Sequence, residues 1–524
     1  MKTSFFNLTL FIKQKKLILL VLLLFLATRL YKISTIPSSV YWDEASIGYN
    51  AFSIVRTGLD EWGVEAPLYF KAFGEFKLPV YIYSVTLLAK LFGMSTLVLR
   101  LPSVIYSACS IVVLYALTRK LLKNKKVALF TALIFTTTSW FFIFSRTGYE
   151  VSAGLFFYLL GLLLMLRKSN VFKQFLGVSA FVLSIYSYNS FVVLAPITLV
   201  VVMVFNFLLL DKFKAKKVML SLVLSAFFVA LSFPVYNFAF SAKDSRYKTS
   251  SILFEKDKKL ATIKKVVLNY MVALNPKYLF LSGDPNSRSQ IPNYPQVNLL
   301  EGVTLLYGLL HIVKLKNKSD WLILVLLILS ILPTSLSKEP QNALRSLPIV
   351  PFLAIIEAIG ITAFIEKYTK YGRRIALIFV MLVLLFFTNF LVKFYGSYNQ
   401  LSAEGWQWAY KDIFVSYRVD FENFDHIVVT DHYGQPYIFA LYYNAYDPIT
   451  FRSTLAYNQT RRFATSVVSA FDKYIFTNID YYNLPSGKSL IFAHPSERMT
   501  EIEPKESVYF PNGSLAFIVY EFKK

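Results

Sequence analysis

The sequence predicts a polytopic α-helical membrane protein, with about eleven transmembrane helices and a small α/β domain at its C-terminal end. Three observations carry this. The 524 residues are 56% hydrophobic and 16% charged, far from the composition of an ordinary soluble chain. Apolar runs of about twenty residues recur, each bounded by Lys/Arg or by Pro, Asn and Ser. The short basic clusters between runs all fall on one side when the runs are counted as spans.

The formal charge of +24 invites a nucleic-acid partner. Its placement excludes one, because a basic binding stripe is not cut up by membrane spans. Cys109 is the single cysteine, so no internal disulfide forms. His311, His426, His432 and His494 show no metal-ligand spacing.

In chain order, Lys13, Lys15 and Lys16 precede the apolar run 17–27. With no small-residue cleavage site after it, this is a retained first helix running from inside to outside, and Arg29 and Lys32 snorkel to the outer interface. A long outside loop, 34–96, carries Asp43, Glu44, Asp60, Glu61, Glu65 and Glu75. Its apolar segment 79–92, at about fourteen residues, is too short for a span and is expected to lie in the interface. Counting it as a span would put the later basic clusters outside.

The second span, 97–117, lands on Arg119, Lys120, Lys123, Lys125 and Lys126. The third, 127–144, returns outside, and the fourth descends to Arg167 and Lys168. A hairpin of spans turns at 186–190 and ends at Asp211, Lys212, Lys214, Lys216 and Lys217. The seventh covers 218–238. A second large outside loop, 239–297, holds a basic amphipathic stretch from Lys256 to Lys265. The eighth span ends at Lys314, Lys316 and Lys318, and the ninth rises to Pro333. The tenth meets Lys367, Lys370, Arg373 and Arg374, and the eleventh, 375–392, exits.

The character then changes. Strands are expected at 426–431, 488–493 and 515–522, and a helix at 435–445. The expected division is a membrane domain, 1–394, and an outside α/β domain, 395–524. A cytoplasmic N-terminus follows from the same count of spans.

Several residues are candidates for chemistry. Asp43-Glu44, between Tyr41-Trp42 and Ala45, is either a catalytic base with a helper or a pair of solvated loop acids. Tyr41 and Trp42 suit an interfacial belt as well as a sugar platform. Glu75-Phe76-Lys77 stands just before Pro79, where a lysine binds phosphate as a point charge or merely snorkels. Arg100-Leu101-Pro102-Ser103 opens the second span, Pro near the first turn being a normal helix start. Arg146 and Glu150, four apart at an outer tip, suit a pair with each other or a second acid for the site. Arg288 and Arg345, on outer loops, are either clamps for an anionic headgroup or surface charges. The sequons at Asn7, Asn317, Asn458 and Asn512 are short enough to arise by chance.

Taken together, Tyr41-Trp42-Asp43-Glu44, Lys77-Leu78-Pro79, Arg100-Leu101-Pro102-Ser103 and Ser145-Arg146-Thr147-Gly148-Tyr149-Glu150 carry a family likeness. In this order the chain resembles the GT-C glycosyltransferases of the protein O-mannosyltransferase type, which include bacterial aminoarabinose transferases. The likeness is clearest over residues 17–240. It implies a GT-C-like fold with amphipathic helices at the outer face, and transfer of a sugar from a polyprenyl-phosphate carrier outside the membrane, with inversion. By the resemblance, Asp43 matches the catalytic acid position, Glu44 lies beside it, and Lys77 matches the lysine that meets the lipid phosphate. Glu150 falls where several relatives carry a second acid, usually Asp. No His-Pro-Pro-Leu-Gly-Lys-like element of the eukaryotic enzymes is present, so a protein acceptor is not implied; glycan, lipid and protein remain open.

An inverting displacement needs one base for the acceptor hydroxyl. Its phosphate leaving group needs fixed positive charge rather than a general acid, which Lys77 and an outer-loop Arg supply. Paired acids beside a phosphate are also able to recruit a divalent metal. The competing readings are a transporter or flippase for lipid-linked precursors and an oligosaccharide polymerase or ligase.

Overall fold

The computed structural model describes residues 2–166, 170–207, 215–241, 246–255, 259–315, 317–457 and 468–524. Arg167, Lys168, Asp211, Lys212, Lys214, Lys256, Lys316 and Asn458 lie outside the described residues.

The helices are, in order, α1 (Lys2–Leu30), α2 (Trp42–Thr57), α3 (Pro79–Phe92), α4 (Thr96–Leu122), α5 (Lys125–Thr137), α6 (Ser139–Phe142) and α7 (Val151–Met165). Next come α8 (Val171–Ile185), α9 (Asn189–Phe205), α10 (Ala215–Ser241), α11 (Arg246–Ser250), α12 (Lys259–Ala273) and α13 (Leu299–Leu315). The last group is α14 (Lys318–Ser330), α15 (Leu332–Ser335), α16 (Val350–Lys367), α17 (Gly372–Ser402), α18 (Trp408–Ser416), α19 (Pro436–Tyr443) and α20 (Pro448–Thr454).

Among the described residues, five helices are long and apolar enough to cross a membrane: Thr96–Leu122, Ala215–Ser241, Lys318–Ser335, Leu347–Lys367 and Thr369–Ser402. The shorter α7, α8 and α9 are apolar too. The chain is a polytopic membrane protein with a small C-terminal sheet domain. The expected third span is two helices rather than one. The chain is extended at Thr138 (φ −62°, ψ 134°), between α5 and α6. The run Thr136-Thr137-Thr138-Ser139 supplies β-branched and hydroxyl side chains that hold helix poorly.

The described chain folds as two compact units, Met1–Tyr31 with Ser103–Lys393, and Lys32–Pro102 with Phe394–Lys524. In the first, α16 is the central helix: 89% of its span is buried, against 22% for α10 and 17% for α17. It packs on α5, α13 and α14. Its crossing with α13 is backbone on backbone. A Cβ at Gly308 would lie 2.1 Å from the Ile356 carbonyl oxygen, and one at Gly360 2.2 Å from that of Thr304. Small residues permit this approach between apolar helices. Arg29 is a correction. It is fully buried, not at the interface. Its guanidinium bonds Ser145 Oγ at 3.0 Å and the Thr136 carbonyl at 2.7 Å and lies over the Phe142 ring at 4.2 Å.

The second unit is built on a seven-stranded sheet, in the order β4 (Ala456–Tyr457), β5 (Val468–Phe471), β6 (Tyr474–Thr477), β3 (His426–Thr430), β7 (Lys488–Ala493), β9 (Leu515–Lys523) and β8 (Glu506–Tyr509). The central β6-β3-β7 group is parallel and both edges are antiparallel. Ile427, Val428 and Val429 are buried, as a central parallel strand requires. The strands expected at 426–431, 488–493 and 515–522, and the helix at 435–445, are found within a residue or two. A small hairpin, β1 (Phe70–Ala72) and β2 (Glu75–Lys77), and helices α2 and α3 belong to the same unit.

Candidate functional site: an acid–lysine pair at the start of α2

The loop expected at 34–96 is largely structured. Asp43 and Glu44 stand in the first turn of α2, a helix of 16 residues. Acids there complement the partial positive charge of the helix N-terminus. Gly58 closes the helix in the left-handed conformation (φ 76°), its N–H donating to the Ile54 carbonyl. The amide of Trp42 donates to Gln407 Oε1 at 3.0 Å, so the first turn is capped by a side chain more than 360 residues away.

Lys77 reaches the site from the hairpin. Its turn residues Phe73 (φ 54°) and Gly74 (φ 78°) both take positive φ, the tight hairpin form whose twist matches its strands. Phe73 is buried there, near Trp42 and Tyr437, and that packing offsets its strained backbone. Phe70 pairs with Lys77 and Ala72 with half-buried Glu75. Leu78 then precedes Pro79 at the first turn of α3, whose 14 residues match the predicted short helix.

The two neighbouring acids meet different partners. The Lys77 ammonium forms an ion pair with Asp43 Oδ1. The lysine side chain is fully buried, and that of Asp43 is 16% exposed. Glu44 has no exposure. The Arg100 guanidinium grips both of its oxygens, Nε to Oε1 and Nη2 to Oε2, each at 2.9 Å. This fork is the strong form of the interaction. Arg100 also donates to the carbonyls of Ile33 at 2.8 Å and Ser39 at 2.7 Å, tying the approach to α2 into the same knot. Tyr41 is buried edge-on to Trp406, the ring centroids 5.3 Å apart, while Trp42 is half-buried. Of the residues expected to act together, the structure thus joins Asp43 with Lys77 and Glu44 with Arg100, flanked by Tyr41, Trp42 and Glu75.

The other candidates belong to the first unit. Arg146 is fully buried and donates to the carbonyls of Thr28 (3.2 Å) and Tyr31 (2.9 Å), a cation at the C-terminal end of α1. Glu150, 7% exposed, is the residue that starts α7. Arg288 is half-buried in a turn where its amide donates to Asn286 Oδ1. Arg345 pairs with Glu339 at 3.3 Å, bonds Ser337 Oγ, and lines a hydroxyl-rich pocket with Ser190, Ser250 and Ser251. Among the described residues no three or more His, Cys, Asp or Glu gather where a metal ion would be held.

Three acids escaped the reading of candidates. Glu61, in the second unit, is fully buried between Asn50 Nδ2 (3.1 Å) and the Tyr437 hydroxyl (3.0 Å), and burial pushes its carboxyl up to about 8. Glu301 and Glu357 line one cavity of the first unit. Glu357, a lone acid in the tenth apolar run, was visible as an outlier in sequence.

Fold and site together define a membrane protein of many spans, with a partly exposed acid–lysine pair at a helix start. Residues 77–236 match the family model of the dolichyl-phosphate-mannose-protein mannosyltransferases. The match agrees with the resemblance seen in the motifs from Lys77 onward. It begins at Lys77, so Asp43 and Glu44 lie upstream of it. Comparison with curated proteins found no match.

Among solved structures, ArnT from Cupriavidus metallidurans bound to undecaprenyl phosphate is 12% identical at a TM-score of 0.49, over 96% of this chain and 97% of that one. The apo oligosaccharyltransferase of Archaeoglobus fulgidus is 11% identical at 0.47, over 82% of this chain and 64% of that one, less than two thirds of its length. The Pmt1–Pmt2 complex of S. cerevisiae, bound to its sugar donor, is 16% identical at 0.36, over 47% and 37%.

Proposed function

We propose that the chain is an inverting glycosyltransferase that moves a single sugar from a polyprenyl-phosphate carrier to an acceptor hydroxyl at the outer face of the membrane. The acceptor is a glycan, a lipid or a protein. Asp43 is the base. The observation that supports this is the ion pair between a partly exposed Asp43 and a buried Lys77. An ammonium has three donors. In this reading a phosphate oxygen brought beside Asp43 meets the same ammonium, which offsets its developing charge. Base and leaving group are thereby set about one sugar.

Asp43 takes the proton of the acceptor hydroxyl as its oxygen attacks the anomeric carbon. The bond to the phosphate breaks, and the phosphate leaves with the electron pair beside the ammonium. Glu44 has both oxygens engaged by Arg100, and its role in this reading is to position the first turn of α2. The chain then sits as a multi-pass protein of the plasma membrane, N-terminus in the cytoplasm.

Asp43→Asn keeps the shape and removes the base. Transfer from a polyprenyl-phosphate sugar should fall by about 10²–10⁴-fold, the usual worth of such a group, while insertion and Tm are kept. Full activity in that variant sinks the assignment. A second reading as a transporter draws on the break at Thr138 and on Glu357; movement of lipid-linked sugar across vesicles without transfer would favour it.

A further inference from the structure

Between α5, α13, α16 and α17 of the first unit lies a small cavity with Thr137, Ser139, Tyr294, Glu301, Thr304 and Glu357 on its polar side. It has room for about one water-sized species. Ile361, Val383, Phe387 and Phe390 complete the lining with apolar side chains. Glu357 is 4% exposed and has no hydrogen bond or ion pair among the described residues. Glu301 is half committed. Its amide donates to Asn298 Oδ1 at 3.0 Å, and its Oε2 accepts from the Asn298 amide at 2.8 Å, the reciprocal cap at the start of α13.

The hydroxyls decide what such a cavity takes. Thr304 donates to the Leu300 carbonyl at 3.0 Å, Thr137 to that of Leu133 at 2.9 Å and Ser139 to that of Pro295 at 3.1 Å. With their protons spent on main chain, they present lone pairs inward. Two carboxylates and three acceptor hydroxyls thus share one small space. A buried charge without a partner is too costly to stand. Lys393 lies over the Tyr294 ring at 5.2 Å beside this lining, and among the described residues neither carboxylate forms an ion pair. Tyr294, Glu301 and Glu357 are the titratable groups that line it; α5 and α17 add none to the lining.

We propose that Glu301 and Glu357 hold one alkali-metal ion between them within the first unit, the second acid carrying a proton so that no net charge is left unpaired. The space admits one bare ion without its hydration shell, which divalent ions such as Mg²⁺ shed reluctantly. The Gly308–Gly360 crossing brings the two acids together, since only bare backbones let α13 and α16 approach so closely.

The test uses the full purified chain in detergent, with Tm followed in NaCl against choline chloride at fixed ionic strength, at pH 6 and pH 8. Na⁺ should raise Tm by a few degrees at pH 8 and less at pH 6, where protons compete. Glu357→Gln, neutral and of the same shape, should abolish the response. A Tm that falls between pH 6 and 8 without regard to Na⁺, and by less in the variant although Glu61 still titrates there, means that the two acids hold only protons and overturns the cation site. Equal responses of variant and wild type to both Na⁺ and pH overturn the site. Should Glu357→Gln not fold, Glu301→Gln, which keeps an acceptor for the Asn298 amide, takes its place under the same outcomes.

Discussion

Adjacent carboxylates acquire different chemistry from what faces them. Asp43 keeps an exposed edge beside Lys77, while Glu44 is sealed into the Arg100 fork. A side chain one residue along a helix points about 100° away, so one acid keeps some solvent exposure and the next faces the interior. Sequence reading named both, yet partner choice depends on which face of α2 is buried, and the helix itself was not foreseen. Glu61 shows the same rule without a cation. Burial raises its carboxyl from 4.5 to about 8, against the hydrogen bonds from Tyr437 and Asn50. The folded chain therefore holds a proton that the unfolded chain loses. Stability from this group is present in full below about pH 4.5, falls as pH rises to about 8, and is level above that. Glu61→Gln stays neutral throughout and keeps an acceptor for one partner. Its Tm minus that of wild type should rise between pH 5 and pH 8.5; a difference that does not change with pH would show Glu61 ionised in the fold.

At the scale of elements, long apolar periodicity and β-branched runs were legible. The 79–92 helix and the strands at 426–430 and 488–493 stand where their residues put them. The hairpin that presents Lys77 was not, because its turn has Phe73 in a conformation that only its packing sustains. The α13–α16 crossing was equally hidden, since a glycine in an apolar run does not say which helix will meet it. That crossing sets the depth of the cavity acids. Gly360→Ala puts a Cβ against the Thr304 carbonyl and must push the helices apart. Overpacking of this kind costs about 1–3 kcal/mol. Gly396, in α17, has open space where its Cβ would go, and alanine there should be neutral or mildly stabilising through better helix propensity. Thermal unfolding of the two variants side by side checks the contrast; equal Tm values would mean that α13 and α16 do not touch at Gly360.

Across the whole molecule, the division of the chain is not sequential. The second unit takes residues 32–102 from near the start and 394–524 from the end. A single sequence carries no mark of such a pairing, since each half has its own local pattern and their contacts span more than 360 residues. Cutting the chain at 394/395, as composition suggests, separates the acid–lysine pair from half of what holds it. Trp406 is the pivot. Its side chain is fully buried, and its Nε1 donates to the Tyr398 hydroxyl at 2.8 Å. Its ring meets Tyr41 edge-on at 5.3 Å and the Arg100 guanidinium at 5.7 Å, and its carbonyl accepts from Ser39 Oγ. The next residue, Gln407, caps the Trp42 amide with Oε1 and donates from Nε2 to the Tyr433 carbonyl at 2.8 Å. The C-terminal segment therefore holds the first turn of α2, and Asp43 with it. Trp406→Ala should cost about 3–5 kcal/mol, the usual worth of a large buried ring, and should lower sugar transfer although Trp406 takes no part in the chemistry. Trp406→Phe restores most of the ring but not the N–H; it should lose about 1 kcal/mol and keep most of the transfer rate. Tm and transfer measured on both variants separate the cases. If Trp406→Ala loses stability while transfer per folded molecule is unchanged, Asp43 is held by its own loop and the C-terminal segment has no part in setting it.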